Sequence, residues 1–304
     1  MIDDKEKNKD FEKNKFILII GITIVFWAFA FPSIKFGLEE LSPINLTIMR
    51  LLIACILFLL LILLQPKKFS KLQKKDIIPI FFLGFLGIIV YHLGLNYGEQ
   101  YVSASVASLI IAIIPIFVVI MAVAFLKEKI TLRILMGIAL ALIGVLIISI
   151  FGRPSYSLEI TYVFGAITVL IAALVGAGYT VAGKKMLSRY SPLSLTVYAF
   201  VIGSLGLIPF ISITLFEEVA VLSIRGWFIL LFLAICPTVI AYILWYVALE
   251  IKSASKLGSY LFFIPVLSTI ISVILLNERI TWLFVIGGAL VILGLHIVNK
   301  REIS

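Results

Sequence analysis

Charged residues are scarce in this sequence. Asp, Glu, Lys and Arg make up 13% of its 304 residues, whereas hydrophobic residues make up 62%. A soluble domain typically contains roughly 25% charged and about 45–50% apolar residues. No soluble fold of this length has an interior large enough for so many apolar side chains, so we expect the chain to lie in a lipid bilayer.

Sequence patterns of enzyme chemistry are also lacking. Cys55 and Cys236 lie in separate apolar runs, without the spacing of a metal site or a disulfide framework. There is no H-E-x-x-H or G-x-S-x-G motif. The segment from Gly178 to Lys184 reads G-x-x-x-x-G-K, but Lys185 follows where a phosphate-binding loop has Ser or Thr, and no strand precedes it. We therefore predict no enzyme activity, no metal and no cofactor.

The net charge of +9 does not indicate nucleic-acid binding, because the basic residues occupy short gaps between apolar runs. With the amino terminus placed in the cytoplasm, 20 of the 25 basic residues fall in cytoplasmic segments. Such an excess sets the orientation of membrane proteins. The sequence therefore predicts a multi-pass protein of the cell membrane with both termini in the cytoplasm.

Ten apolar runs are long enough to cross a bilayer, which takes about 20 residues. None alternates with the period expected of a membrane β-strand. We therefore predict an all-α fold with a disordered cytoplasmic tail at residues 1–15 and a second tail at 299–304. The predicted helices are 16–38, 44–64, 77–97, 103–125, 131–151, 161–183, 193–215, 227–248, 254–276 and 281–298.

A duplication organises the chain. The segment from Ser103 to Gly144 recurs from Ser253 to Gly294, and 15 of the 42 paired positions are identical. The matches include Ser, Pro, Glu, Thr and Gly in one unbroken register, which chance does not produce in an apolar chain. We therefore predict two five-helix repeats, at residues 16–151 and 161–298.

Five helices per repeat place the second copy in the membrane upside down relative to the first. Inverted repeats are typical of carriers, whose binding site lies between the two halves. Exchange of conformation between the halves then opens the site to one face and afterwards to the other. Because one chain contains both halves, it is expected to function alone, and the oligomeric state is left open.

Candidate substrate-binding residues come from the polar and aromatic side chains of the predicted helices. His92, Asn96 and Glu99 share one helix face at i, i+4 and i+7. Pro115 and Pro265 occupy matching positions, where each is expected to kink its helix and free a carbonyl. An aromatic belt at the membrane surface and close serine packing are the alternatives for these residues. The candidates are Trp27, Arg50, His92, Asn96, Ser105, Tyr179, Tyr242, Trp245, Tyr246 and Ser259.

The charged residues near the membrane receive simpler interpretations, apart from Arg50. Arg50 lies two turns inside a helix, where it would snorkel outward or bind a carboxylate, and its counterpart is Ala199. Lys35 and Lys184 are expected to snorkel from helix ends. Glu128 and Glu278 each precede an Ile-Thr pair and are interpreted as turn residues, with Thr131 and Thr281 as helix caps. Glu99 is placed at a helix end, which leaves proton coupling without an obvious carboxylate.

These features together resemble the EamA group of the drug/metabolite transporter superfamily. The resemblance covers residues 16–298 and is carried by Phe26-Trp27 with Lys35, Pro43 with Arg50, Ser103 through Pro115 to Glu128, and their counterparts in the second half. It implies a ten-helix transporter with a central cavity that exports amino acids or related small polar metabolites. The alternatives are transport of another class, such as nucleotide-sugars or drugs, a channel or scaffold, or a membrane enzyme acting on lipid-linked substrates.

Overall fold

The computed structural model describes residues 2–126, 132–151, 160–251, 257 and 259–299, although some side chains in these ranges, including that of Ser259, are not described. Within these ranges the chain is helical and contains no β-strand. Glu128, Thr131 and the segment from Ser253 to Ser255 lie outside the described residues.

The helices follow the predicted order. The first repeat contains α1 (Ile2–Gly37), α2 (Pro43–Leu64), α3 (Lys74–Tyr101), α4 (Ala104–Ile111 and Ile114–Leu126) and α5 (Leu132–Phe151). The second contains α6 (Ile160–Met186), α7 (Pro192–Phe210), α8 (Ile224–Ile251), α9 (Phe263–Leu276) and α10 (Trp282–Asn299). In the described part of the chain, seven helices are long and apolar enough to cross a membrane, and shorter apolar segments lie in α5, α9 and α10. The protein is an all-α polytopic membrane protein of two five-helix repeats.

The described bounds of α1 and α7 differ from the predicted ones. Residues 2–15 are helical and continue α1, where a disordered tail was expected. No proline or glycine interrupts this segment. The regular part of α7 ends at Ser204 and continues as a 3-10 helix to Phe210, because Pro209 cannot extend an α-helix. Residues beyond it form a separate short helix, Ile213–Ala220.

Glycines place α5 and α10 in close contact across the two repeats. A Cβ atom built on Gly144 would lie 2.5 Å from the carbonyl oxygen of Gly287, and one on Gly294 would lie 2.5 Å from that of Gly137. In the duplication, Gly137 corresponds to Gly287 and Gly144 corresponds to Gly294. Gly144 therefore contacts the counterpart of Gly137, and Gly137 contacts the counterpart of Gly144. Such crosswise contacts are what a two-fold relation between the halves produces, and small residues let membrane helices approach.

Two ion pairs also connect the repeats. Arg189 contacts Asp76 at 2.5 Å, and Arg225 contacts Glu39 at 3.1 Å. The first pair joins the start of α3 to the α6–α7 loop, and the second joins the α1–α2 loop to the start of α8. Each ion pair therefore ties the first repeat to the second.

Candidate functional site

A π-helical turn interrupts α3 and α8 at equivalent positions, Phe85–Val90 and Ile235–Ile240. Such turns widen a helix locally, disturb its regular hydrogen bonds and are frequent at functional sites. In α8 the turn contains Pro237, which has no N–H, and Thr238, whose hydroxyl donates to the carbonyl of Leu233 at 2.7 Å. The turn therefore leaves polar groups that other helices can bind.

Three helices meet at the π turn of α8. The indole Nε1 of Trp27 in α1 donates to the carbonyl of Pro237 at 3.0 Å. Nε of Arg50 in α2 donates to the hydroxyl of Thr238 at 2.7 Å. Arg50 is only 2% exposed. The first repeat thus supplies a buried cation and an indole, and the second repeat supplies the hydroxyl that binds Arg50 and the carbonyl that binds Trp27.

An aromatic cluster surrounds a central cavity of about 60 Å³. The ring centroids of Trp27 and Trp245 are 5.2 Å apart, and those of Tyr179 and Tyr242 are 5.7 Å apart. One water requires ~10–15 Å³ of such space, so the cavity has room for a few water molecules. The described conformation therefore leaves little space at its centre. Further lining residues include Tyr91, Ser108, Gly176, Thr180 and Ile264.

A row of buried polar side chains runs along α3 beside this cavity. Asn96 donates from Nδ2 to the hydroxyl of Thr47 at 2.8 Å, and the hydroxyl of Tyr242 lies 3.5 Å from His92 Nε2. Among the described residues, no hydrogen-bond partner reaches Arg50 Nη1, His92 Nδ1, Asn96 Oδ1 or either carboxylate oxygen of Glu99. An unsatisfied buried polar group costs about 1–3 kcal/mol. Retention of several such groups in one region points to a site that binds something.

The structure separates the sequence-predicted residues into three groups. Trp27, Tyr179, Tyr242 and Trp245 line the cavity. Arg50, His92 and Asn96 are buried beside it, and Tyr246 stacks behind Tyr179 with ring centroids 5.0 Å apart. Ser105 does not line the cavity. It lies at the amino end of α4, where its hydroxyl donates to the carboxylate of Glu278. Ser259 begins a short 3-10 helix, and its side chain is outside the described set.

Glu278 does more than occupy a turn. Its carboxylate accepts hydrogen bonds from the backbone N–H of Ala104 at 2.7 Å, from that of Ser105 at 3.2 Å, and from the Ser105 hydroxyl. A carboxylate from the second repeat therefore caps the amino end of α4 in the first repeat, where the helix dipole favours a negative charge. The predicted cap at Thr281 is also present, since its hydroxyl accepts from Phe284 N at 3.0 Å.

The two prolines lie directly after irregular segments. Residues 112 and 113 interrupt α4, and Pro115 is the second residue of the helix that follows. Pro265 is the third residue of α9, preceded by the 3-10 helix Ser259–Phe262. Proline is tolerated in a first helical turn, where its missing N–H needs no partner. Pro115 therefore follows a break in the middle of α4, close to the expected kink, whereas Pro265 lies in the first turn of α9 rather than in its middle.

Lys35 and Lys184 bind helix ends in equivalent ways. The ammonium of Lys35 donates to the carbonyl of Glu99 near the end of α3, and that of Lys184 donates to the carbonyl of Leu249 near the end of α8. A cation at a helix carboxyl end satisfies a free carbonyl and complements the dipole. The apparent phosphate-binding motif from Gly178 to Lys184 lies entirely within α6, so it forms no loop.

Sequence reasoning missed Thr238 as the partner of Arg50 and underestimated Glu99. Glu99 was placed at a helix end, where water would reach it, but its exposed fraction is 0%. The Pro237-Thr238 pair inside an apolar run was the one available signal for the α8 turn. No local pattern could indicate the bond from Arg50 to Thr238, because 188 residues separate them.

The fold and the central site define a membrane transporter, with inverted repeats around a partly polar cavity. The model of the EamA-like transporter family matches residues 14–150 and again 163–300. The chain belongs to this family. Its small-molecule substrate and its place in the bilayer follow from that membership.

Relatives support the assignment over nearly the whole chain. An uncharacterized transporter of Archaeoglobus fulgidus is 38% identical over 94% of this chain and 99% of its own length. A protein of Streptantibioticus cattleyicolor named "Probable terminal-alkyne amino-acid exporter" is 30% identical over 96% of this chain and 95% of its own. A crystal structure with a TM-score of 0.64 and 18% identity covers 93% of this chain and 96% of the other, which shows the shared fold.

Proposed function

We propose that this protein exports amino acids or related small carboxylates across the cell membrane by alternating access. The buried Arg50 is the observation that carries the proposal. Its Nε is held by Thr238, and its Nη1 has no partner among the described residues. A guanidinium binds a carboxylate with two parallel hydrogen bonds, so a fixed Nε leaves the outer edge of the group for an anionic ligand.

The surroundings of Arg50 suit the remainder of an amino acid. The faces of Trp27, Tyr242 and Trp245 attract an ammonium group through cation–π interaction, and Asn96 Oδ1 is a free acceptor. The same rings pack against an apolar side chain. The name of the Streptantibioticus relative, an amino-acid exporter, is consistent with this chemistry.

Alternating access is supported by the contact between Glu278 and the amino end of α4. This contact ties the two repeats together at one end of the central cavity. The duplication gives Glu278 a counterpart in Glu128, and gives Ser103 to Ser105 counterparts in Ser253 to Ser255. We propose that the Glu278 contact closes the extracellular face and that the corresponding contact closes the cytoplasmic face, with both termini in the cytoplasm.

Purified protein in liposomes tests the substrate class. Liposomes would be loaded with a panel of radiolabelled amino acids, and efflux would be compared among the wild type, Arg50→Lys and Arg50→Gln. We expect at least a tenfold loss of flux in both variants, because lysine lacks the planar pair of donors and glutamine lacks the charge. Arg225→Gln is the matched control, since Arg225 is an exposed arginine far from the cavity.

The thermal unfolding of each variant would be measured beside its flux, so that loss of folding is not taken for loss of binding. Equal flux from Arg50→Gln and Arg225→Gln would contradict the assignment of Arg50. Absence of flux for every amino acid in the wild type would contradict the substrate class.

A further inference from the structure

The carboxylate of Glu99 is buried without a hydrogen-bond partner. Glu99 lies two residues before the end of α3, its exposed fraction is 0%, and neither of its oxygens is bound within the described residues. Its counterpart Glu250, at the same place in α8, is exposed. The burial is therefore specific to one repeat, and a shared requirement of the fold does not explain it.

The charged groups around Glu99 bind atoms other than its carboxylate oxygens. Lys35 in α1 binds the main-chain carbonyl of Glu99, Arg50 in α2 binds Thr238, and Glu278 binds the amino end of α4. No ion pair within 4 Å joins the carboxylate of Glu99 to Lys35 or Arg50 among the described contacts.

The other neighbours of Glu99 bring no charge to it. On α6, the residues against the adjacent Gly98 are Gly165, Thr168 and Val169, and the two lysines of α6 lie at its opposite end. On α3 itself, the titratable groups on the same side are Tyr91 and His92, two turns away. Cations therefore lie in the interior around Glu99, but none of them binds its carboxylate oxygens among the described residues.

An ionised carboxylate without hydrogen bonds is too costly to keep in such an interior, where the penalty for each ion is several kcal/mol. A buried acid in this position takes up a proton and becomes neutral. We propose that Glu99 is a proton-binding site, and that the proton it takes up and releases couples transport to the proton gradient. The coupling rests on the proposed carrier function, whereas the proton site does not.

The proton balance of the cycle is simple. With the extracellular face open, water reaches Glu99, and one proton passes from that water to a carboxylate oxygen. The face then closes over the neutral acid as Glu278 binds α4. When the cavity opens to the cytoplasm, the proton leaves along the face of α3 that carries Asn96 and His92. Each cycle therefore moves one proton inward as the exported solute moves outward.

Infrared difference spectroscopy tests the proton site without any substrate. A protonated carboxyl group has a carbonyl stretch that an ionised one lacks, and subtraction of the Glu99→Gln spectrum isolates the signal of Glu99. We expect the wild-type protein in liposomes to show this band at acid pH and to lose it as the pH rises. Glu250→Gln is the matched control and should keep the band.

A second measurement tests the coupling. With an amino acid that the wild type transports, an imposed pH gradient should drive accumulation in the wild type and in Glu250→Gln. Glu99→Gln should lose gradient-driven accumulation, by tenfold or more, yet still exchange labelled for unlabelled solute. This split separates a proton site from a residue that only supports the structure.

Three results would overturn the inference. The first is a carbonyl band that is absent from the wild type at every pH or is unchanged in Glu99→Gln. The second is gradient-driven accumulation that persists in Glu99→Gln. The third is failure of Glu99→Gln to fold, because the amide reproduces the shape and neutrality of the protonated acid. Absence of amino-acid transport in the wild type would contradict the proposed function alone, and the infrared result would still decide the proton site.

Discussion

Arg50 of the first repeat corresponds to Ala199 of the second, and both residues are buried at crossings between the repeats. Arg50 extends from α2 to the π turn of α8. Ala199 lies where α7 meets α3 so closely that a Cβ atom on Gly84 would be 1.9 Å from the Ala199 carbonyl oxygen. One crossing therefore accommodates a long charged side chain, and the equivalent crossing leaves no space for one.

Other residues make equivalent contacts in both repeats. The ammonium groups of Lys35 and Lys184 bind equivalent helix ends, and the glycines of α5 and α10 meet crosswise. By contrast, the buried Glu99 corresponds to the exposed Glu250. The symmetric residues make contacts that both repeats share, whereas Arg50 and Glu99 bring buried charge to the first repeat alone. A solute whose two ends differ in chemistry requires a binding site with different residues from the two repeats.

The largest expected effect concerns the close crossing of α3 and α7. Gly84→Ala should destabilise the protein by about 3 kcal/mol, at the upper end for overpacking, because the added methyl group meets backbone that cannot rotate away. Thermal unfolding in detergent would measure the loss. Gly21→Ala is the matched control, since nothing lies within 4 Å of its Cβ position. Equal unfolding temperatures for the two variants would show that the crossing is looser than described.

A smaller effect is expected at the contact between Glu278 and α4. Glu278→Gln removes the charge that accepts three hydrogen bonds, each worth about 1.5–3 kcal/mol when charge-assisted. Because about 1.4 kcal/mol is a factor of ten, the end of the cavity that this contact closes, which we propose is the extracellular one, should open at least tenfold more often. The measurement is labelling of Ser108→Cys by an impermeant thiol reagent added outside, with Cys55 and Cys236 replaced by alanine.

Glu128→Gln sharpens this comparison between the two faces. The duplication pairs it with Glu278, so it should lower labelling from outside and raise labelling from the cytoplasmic side. A shift in the same direction for both variants would contradict opposite roles for the two glutamates.

The smallest expected effect is a difference in stability between substitutions of two equivalent threonines. Thr47 and Thr196 each donate to a carbonyl four residues earlier, but Thr47 also accepts the hydrogen bond from Asn96. Thr47→Val should cost about 1–3 kcal/mol, because the Asn96 amide is left unsatisfied, whereas Thr196→Val should cost less than about 1 kcal/mol. Equal shifts in unfolding temperature would show that the Asn96 contact contributes nothing measurable.

The sequence by itself determined that lipid surrounds the protein, where the helices lie, and which helices of the two repeats correspond. Apolar run length requires a bilayer, and the register that aligns Gly137 with Gly287 and Glu128 with Glu278 identifies a duplication. Five helices per copy then invert the second one. Four of the five predicted aromatic residues, Trp27, Tyr179, Tyr242 and Trp245, line the cavity.

Only the tertiary structure decided what the charged residues do. Glu278 caps a helix 174 residues away, Arg50 binds Thr238 across the repeats, and Glu99 is buried although it lies near a helix end. Periodicity fixes which residues share a helix face, but it does not fix which face meets the other repeat. That choice depends on how closely small residues such as Gly84 let two distant helices approach, and such a contact leaves no pattern in the local sequence.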